Sequence, residues 1–134
     1  MKPLGAWIDP RPEGIYIPAA DAWIDPSQPK ARALVTHGHA DHARGGHGAV
    51  WATPETLAIM DARYGSQQAN PVAYGETVRM GDVEASFFPA GHVLGSAQIL
   101  LEHAGERVLV SGDYKRRADP TCSRFEPQAC DVFI

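Results

Sequence analysis

The sequence has few of the features that mark several protein classes. Its 134 residues include only two cysteines, Cys122 and Cys130, which have no metal-binding spacing relative to one another. Reduced thiols are therefore expected, and a disulfide is the less favoured alternative. No apolar run approaches the roughly 20 residues of a membrane-spanning helix, and residues 1–5 contain no apolar segment of a secretory signal. We therefore expect a cytoplasmic protein with no membrane partner.

Positive charge is also scarce. The chain has 12 Lys and Arg against 16 Asp and Glu, so its formal net charge is −4 with histidine neutral. Proteins that bind nucleic acid through overall charge are usually basic, so the composition argues against that class. It does not exclude a nucleic-acid enzyme, because bound cations would reverse the local sign. Hydrophobic residues make up 44% of the chain, which is enough for a packed core in one domain or part of one.

Short apolar runs bounded by glycine and proline predict a chain rich in strands. Because no helical pattern separates the last four of these runs, we expect the sheet there to be largely antiparallel. The predicted strands cover residues 15–17, 22–24, 33–35, 49–52, 77–80, 83–88, 97–102 and 107–110.

One helix is predicted after the fourth of these strands. Thr53 is a typical N-cap, Pro54 suits the first helical position and Gly65 ends the pattern. Apolar side chains repeat at helical spacing between these limits, which indicates core packing. They are Leu57, Met60 and Tyr64.

The segment that follows the apolar run 33–35 is rich in metal-binding side chains. Three histidines and an aspartate, His37, His39, Asp41 and His42, fall within six residues. Imidazole and carboxylate are the ligands of a borderline metal such as zinc. If the strand continues to about His37, a loop must carry the other ligands, because residues two apart share a face of a strand. His37 and His39 can then reach one ion while Asp41 and His42 face a second. A lone histidine is usually structural, but four such residues at this spacing predict a metal site.

Five motifs occur in a fixed order along the chain. They are Tyr-Ile-Pro-Ala-Ala-Asp at 16–21, Trp-Ile-Asp-Pro at 23–26, His-x-His-x-Asp-His at 37–42, Pro-Ala-Gly-His-Val-Leu-Gly-Ser-Ala-Gln at 89–98 and Ser-Gly-Asp-Tyr-Lys at 111–115. The third motif resembles the signature of the metallo-β-lactamase fold. The ordered set resembles the bacterial ligase-associated DNA exonucleases, in the nuclease branch that includes DNA cross-link repair and RNA 3′-end processing enzymes.

The resemblance implies an α+β fold with four layers, αββα, in which two sheets face each other between helices. It covers nearly the whole chain but only the first half of that fold. We therefore expect residues 1–134 to form one mostly antiparallel sheet and a helix, as the N-terminal part of a truncated domain without the inserted nucleic-acid-binding domain. Residues 131–134 read as the start of a buried strand. The uncovered sheet face would favour self-association of this chain.

The resemblance also implies six metal ligands on three loops. They are His37, His39 and His92 at one zinc ion, Asp41 and His42 at the second, and Asp113 between the two. Two Zn²⁺ are expected in the full-length protein and nearer one in this chain, because a later histidine of the family is missing. Asp41 would also orient or deprotonate the attacking water, which makes it the candidate catalytic residue.

Other polar residues have two interpretations each. Asp25 would hydrogen-bond a metal-binding imidazole, or it is a turn aspartate before proline. Asp21 has the same alternatives. Lys115, Arg116 and Arg44 are candidate phosphate contacts, or solvated basic residues.

The function that these expectations favour is a metal-dependent phosphodiester hydrolase, a DNA exonuclease of DNA repair with DNA and, by the resemblance, a DNA ligase as partners. The alternatives are another hydrolase of the same fold, acting on RNA, a thioester or a lactam, and an inactive metal- or nucleic-acid-binding chain. His47 and His103 are expected to be exposed or structural, outside the site.

Overall fold

The computed structural model of the chain describes residues 5–39, 42–65, 67–91, 94–111 and 128–134. These residues form eleven strands and one helix. In chain order the elements are β1 (Asp9–Arg11), β2 (Gly14–Ile17), β3 (Ala22–Ile24), β4 (Arg32–Leu34), β5 (Ala49–Ala52), α1 (Pro54–Tyr64), β6 (Ala69–Pro71), β7 (Thr77–Met80), β8 (Val83–Pro89), β9 (Ala97–His103), β10 (Glu106–Val110) and β11 (Val132–Phe133). Among the described residues no helix has the length and apolar character needed to cross a membrane.

The first sheet contains six strands in the order β1-β2-β3-β4-β5-β6. Its first three strands are antiparallel neighbours, whereas β3, β4, β5 and β6 pair in parallel. Helix α1 makes the connection between β5 and β6. Parallel strands end at the same edge of a sheet, so the residues that follow β3 and β4 come together there.

The second sheet contains five strands in the order β11-β10-β9-β8-β7. The pairs β7/β8, β8/β9 and β9/β10 are antiparallel, which confirms the arrangement predicted for this part of the sequence. β11 was not covered by that prediction, and it pairs with β10 in parallel, with Val108 opposite Val132.

The two sheets share one hydrophobic core. Ile24 and Leu34 from the first sheet belong to the same buried cluster as Phe87 and Ile99 from the second. Each fully buried side chain of this size stabilises the fold by about 1.5–3 kcal/mol. A second cluster lies between the other face of the first sheet and helix α1. It consists of Val35, Ala43, Val50, Ala52, Leu57 and Met60.

The helix begins and ends at the predicted residues. Thr53 is the N-cap, and its hydroxyl oxygen accepts a hydrogen bond from the Thr56 N–H at 3.4 Å. Gly65 ends the helix with a φ of 81°, and its N–H donates to the Asp61 carbonyl at 2.8 Å. The expectation that Tyr64 packs in the core is wrong, because 42% of this residue is exposed.

The expected fold class is confirmed, but the strands are divided between two sheets where we expected one. β1 and β6 were not predicted, because both are short, contain proline and have mostly polar or exposed residues. The sheet face that we expected to be uncovered packs against the second sheet. Residues 131–134 form an exposed edge and not a buried strand, with Phe133 53% exposed. Self-association of the chain stays a prediction, and its remaining support is the apolar pair Phe133 and Ile134.

Candidate metal centre

The candidate site lies at the edge of the first sheet where β3 and β4 end. Asp25 follows β3, and Thr36 and His37 follow β4. The Asp25 N–H donates to the Leu34 carbonyl at 2.9 Å, which holds the two strand ends together. The Thr36 carbonyl accepts a hydrogen bond from the Ala97 N–H at 2.7 Å, at the start of β9. The site is therefore fixed to both sheets.

Asp25 is the centre of the hydrogen bonding at this edge. Its Oδ1 accepts from the Thr36 N–H at 2.8 Å, and its Oδ2 accepts from the Thr36 hydroxyl at 2.6 Å. The same Oδ2 lies 2.8 Å from Nδ1 of His42. Asp25 has a φ of 48°, a left-handed conformation that aspartate tolerates better than most residues. An ionised carboxylate only accepts hydrogen bonds, so Asp25 is the acceptor in all three contacts.

The three histidines of the motif differ in their surroundings. His37 is fully buried, His42 is half-buried and His39 is exposed. The ring centroid of His37 lies 4.2 Å from that of His42 and 5.0 Å from that of His39. Nδ1 of His37 is 2.9 Å from the Thr36 hydroxyl oxygen. The three rings therefore form one group, with the buried His37 in the middle.

The hydrogen bonds decide which imidazole nitrogens are suited to a metal. Nδ1 of His42 faces a carboxylate, so it carries the hydrogen and donates it, and Nε2 holds the lone pair. Asp25, His37 and His42 each offer a ligand atom, and these atoms lie within 4.8 Å of one another. Because three donors already use the Asp25 oxygens, the imidazole nitrogens of His37 and His42 are the atoms better suited to a metal. Nitrogen ligands of this kind fit zinc. The supporting role of Asp25 toward a metal stays a prediction.

The C-terminal half of α1 holds the loop that carries these histidines. Arg63 Nη2 donates to the Gly38 carbonyl at 2.9 Å, and the Tyr64 hydroxyl donates to the Ala43 carbonyl at 2.7 Å. A Cβ on Gly38 would lie 2.9 Å from Ile59 Cδ1, so a larger residue at this position would force the Ile59 side chain to shift. The helix therefore fixes both ends of the segment between Gly38 and Ala43. Sequence reasoning missed this contact, because the residues are more than 20 positions apart.

The structure tests the position of only some of the other predicted site residues. Asp21 Oδ1 accepts a hydrogen bond from the Tyr16 hydroxyl at 2.9 Å, and this contact raises the pKa of the Tyr16 phenol. Arg44 is exposed on the loop after His42. The roles proposed for Asp21 and Arg44 stay predictions. Five predicted residues lie outside the described part of the chain. They are Asp41, His92, Asp113, Lys115 and Arg116.

The two histidines that we left outside the site have contacts elsewhere. His47 is buried, and its Nδ1 accepts a hydrogen bond from the Lys30 N–H at 3.1 Å. Burial lowers the pKa of His47, and a backbone hydrogen bond at Arg44 offsets part of this shift. His103 Nδ1 lies 2.9 Å from the Asp82 carbonyl oxygen, near the hairpin between β9 and β10.

Sequence comparison relates the chain to nucleases. No family model matches the sequence. The chain is 38% identical over 108 residues to a protein of Opitutus terrae named "Probable DNA ligase". This alignment covers 78% of the chain and 10% of the relative. It is 29% identical over 121 residues to ribonuclease TTHA0252 of Thermus thermophilus, covering 70% and 28% of the two chains. It is 48% identical over 65 residues to endoribonuclease YSH1 of Saccharomyces cerevisiae, covering 47% and 8%. The chain thus spans a minor part of each of these relatives.

Solved structures share the fold. Zn²⁺-bound PqqB of Methylobacterium extorquens matches with a TM-score of 0.50 and 17% identity, over 65% of this chain and 40% of PqqB. A protein of unknown function from Enterococcus faecalis V583 matches with a TM-score of 0.55 and 16% identity, over 63% and 25%. At these identities the likeness concerns the fold alone. The chain therefore has the metallo-β-lactamase fold and resembles the nucleases of that fold.

Proposed function

We propose that this chain is the N-terminal part of the catalytic domain of a metal-dependent phosphodiester hydrolase, a DNA exonuclease that acts in cytoplasmic DNA repair. The observation that carries the proposal is the group of imidazoles of His37, His39 and His42 beside Asp25, in a chain whose relatives are nucleases and a probable DNA ligase. The ligase-named relative aligns over 78% of the chain, which favours DNA as the substrate and a DNA ligase as a partner.

The proposed cofactor is zinc, two ions in the full-length protein and nearer one in this chain. Within the described residues, His37, His39 and His42 would contribute ligands. The further ligands that we propose are Asp41, His92 and Asp113. When bound, zinc lowers the pKa of a coordinated water to about 7 and neutralises charge on a phosphodiester.

The chain's own residues would supply orientation and proton transfer. Asp25 holds the His42 ring by a hydrogen bond to Nδ1, which keeps Nε2 directed away from the carboxylate. We propose that Asp41 orients or deprotonates the water that attacks phosphorus, so that the P–O bond to the leaving group breaks. Lys115, Arg116 and Arg44 would contact the phosphates and hold the substrate.

RNA cleavage is the second candidate function. It is favoured by the names of several relatives, among them the YSH1 endoribonucleases of Kluyveromyces lactis and Saccharomyces cerevisiae, at 42% and 48% identity over 65 residues. These alignments cover 47% of this chain, a smaller part than the alignment with the ligase-named relative.

The test is cleavage by the full-length parent protein with zinc, on DNA and RNA of the same sequence labelled at one end. We expect stepwise shortening of DNA, and Asp41→Ala should abolish it, because that residue is assigned to both a metal and the attacking water. Asp82→Ala, in the turn between β7 and β8, is the matched control and should cleave normally. If RNA were cleaved in preference to DNA, the proposed substrate would be RNA and not DNA. Normal cleavage by Asp41→Ala would remove Asp41 from the mechanism.

A further inference from the structure

We propose that Thr36 is a positioning residue of the metal centre, which couples the Asp25 carboxylate to His37 and fixes the tautomer and orientation of that imidazole. The proposal rests on the proposed metal-binding function, but it concerns a residue for which neither the motif nor the comparisons give a role. It is carried by four contacts that involve only Asp25, Thr36, His37 and His42.

Asp25 fixes both the backbone and the side chain of Thr36. One carboxylate oxygen accepts the Thr36 N–H at 2.8 Å and the other accepts the Thr36 hydroxyl at 2.6 Å. Thr36 is buried, so water does not compete for these donors. Because both hydrogen bonds join Thr36 to the same carboxylate, the χ1 angle of Thr36 has a single favourable value.

The hydrogen bonds around the Thr36 hydroxyl have a definite direction. The carboxylate accepts only, so the hydroxyl hydrogen of Thr36 points to Asp25. The hydroxyl oxygen then presents a lone pair toward Nδ1 of His37, at 2.9 Å. That contact is a hydrogen bond only if Nδ1 carries the hydrogen, which assigns the lone pair of His37 to Nε2.

The Asp25 carboxylate orients both His37 and His42. Asp25 Oδ2 accepts directly from His42 Nδ1 and, through the Thr36 hydroxyl, it sets the polarity at His37 Nδ1. The two rings, with centroids 4.2 Å apart, therefore present the same nitrogen as ligand. Loss of the hydroxyl would leave Nδ1 of a fully buried ring without its acceptor and would favour the wrong tautomer.

The experiment compares Thr36→Val, which keeps the shape without the hydroxyl, with Thr36→Ser, which keeps the hydroxyl. Zinc affinity is measured by chelator competition on the purified chain. We expect Thr36→Val to weaken zinc binding about 10- to 100-fold, the usual effect of losing a residue that supports a metal ligand. Thr36→Ser should restore most of the affinity. Thr77→Val is the matched control, because it removes a hydroxyl that lies 2.8 Å from Ser86 Oγ in the second sheet, and it should leave zinc affinity unchanged. Equal affinities for Thr36→Val and the original chain would overturn the proposal.

A second measurement needs no variant and no metal. Long-range ¹H–¹⁵N spectra of the metal-free chain, at a pH well above the ordinary imidazole pKa, report the tautomer of each histidine. We expect His37 to carry its hydrogen on Nδ1, and a hydrogen on Nε2 would overturn the proposal even if Thr36→Val failed to fold. If the original chain bound no zinc, the proposed function would fail, whereas this spectrum would still decide the role of Thr36.

Discussion

Asp25→Asn is the substitution that best separates the charge of the carboxylate from its shape. Asparagine adopts the left-handed φ of 48° as readily as aspartate does, so the backbone should not change. Its amide has one acceptor and one donor group, whereas the carboxylate accepts three hydrogen bonds from Thr36 and His42. With the amide oxygen at the Oδ1 position, the Thr36 N–H keeps its acceptor, but the amide N–H group then faces the Thr36 hydroxyl and His42 Nδ1. These two contacts persist only if the hydroxyl turns and the His42 hydrogen moves to Nε2, the nitrogen assigned to the metal. In the other orientation the amide N–H faces the Thr36 N–H.

The magnitude follows from these three contacts. Hydrogen bonds to a charged group contribute about 1.5–3 kcal/mol each, and a buried donor left unsatisfied costs about 1–3 kcal/mol. Only 13% of the Asp25 side chain is exposed, so water replaces little of the loss. We expect the free energy of unfolding of the metal-free chain to fall by about 2–4 kcal/mol, and zinc affinity to fall about 10- to 100-fold.

Urea unfolding followed by circular dichroism gives the first quantity, and chelator competition gives the second. Asp82→Asn is the matched control, since it makes the same chemical change at an exposed turn, and its unfolding free energy should stay within about 0.5 kcal/mol of the original. If Asp25→Asn matched this control in both stability and zinc affinity, the three hydrogen bonds would not organise the site as described here.

Three further outcomes are expected. Tyr64→Phe, which removes the hydrogen bond to the Ala43 carbonyl, should cost about 0.5–1.5 kcal/mol of stability and weaken zinc binding by less than Asp25→Asn does, as chelator competition will show. Burial lowers the pKa of His47 in the folded state, so the stability that neutral His47 contributes should be complete above the ordinary value of 6.5 and be lost as the pH falls toward the folded pKa. In urea unfolding, the free energy of unfolding of His47→Gln should therefore fall less over that pH range than that of the original chain. His39→Ala should remove most of the bound metal as measured by metal analysis, whereas His103→Ala should not.

Local sequence signals were enough to predict much of the fold. Thr53, Pro54 and Gly65 set the limits of the helix because capping and helix termination depend on neighbouring residues alone. The hairpins of the second sheet follow from short turns between apolar runs, and their pairing is antiparallel as predicted. The histidine motif pointed to the segment after β4, where the ring centroids of His37 and His42 lie 4.2 Å apart, and the metal site expected there stays a prediction.

What the sequence did not predict depends on contacts between distant residues. The division of the strands into two sheets is set by which edges pair, and β1 and β6 have little apolar character to reveal them. The hydrogen bonds from Asp25 to Thr36 span 11 positions, and those from Arg63 to the loop span 20 or more. No periodic sequence pattern marks the residues of either set of hydrogen bonds, so these contacts become visible only in the folded structure.

The most direct test of the metal centre is a crystal structure of the zinc-loaded chain, with anomalous diffraction recorded at the zinc absorption edge. Our account predicts zinc at this edge with Nε2 of His37 and Nε2 of His42 as ligands, on one ion or on two neighbouring ions, and with His39 as a further ligand, while Asp25 keeps its hydrogen bonds from Thr36 and from His42 Nδ1. An ion held by the Asp25 carboxylate, an ion on Nδ1 of either histidine, or no ion at this edge of the first sheet would contradict it.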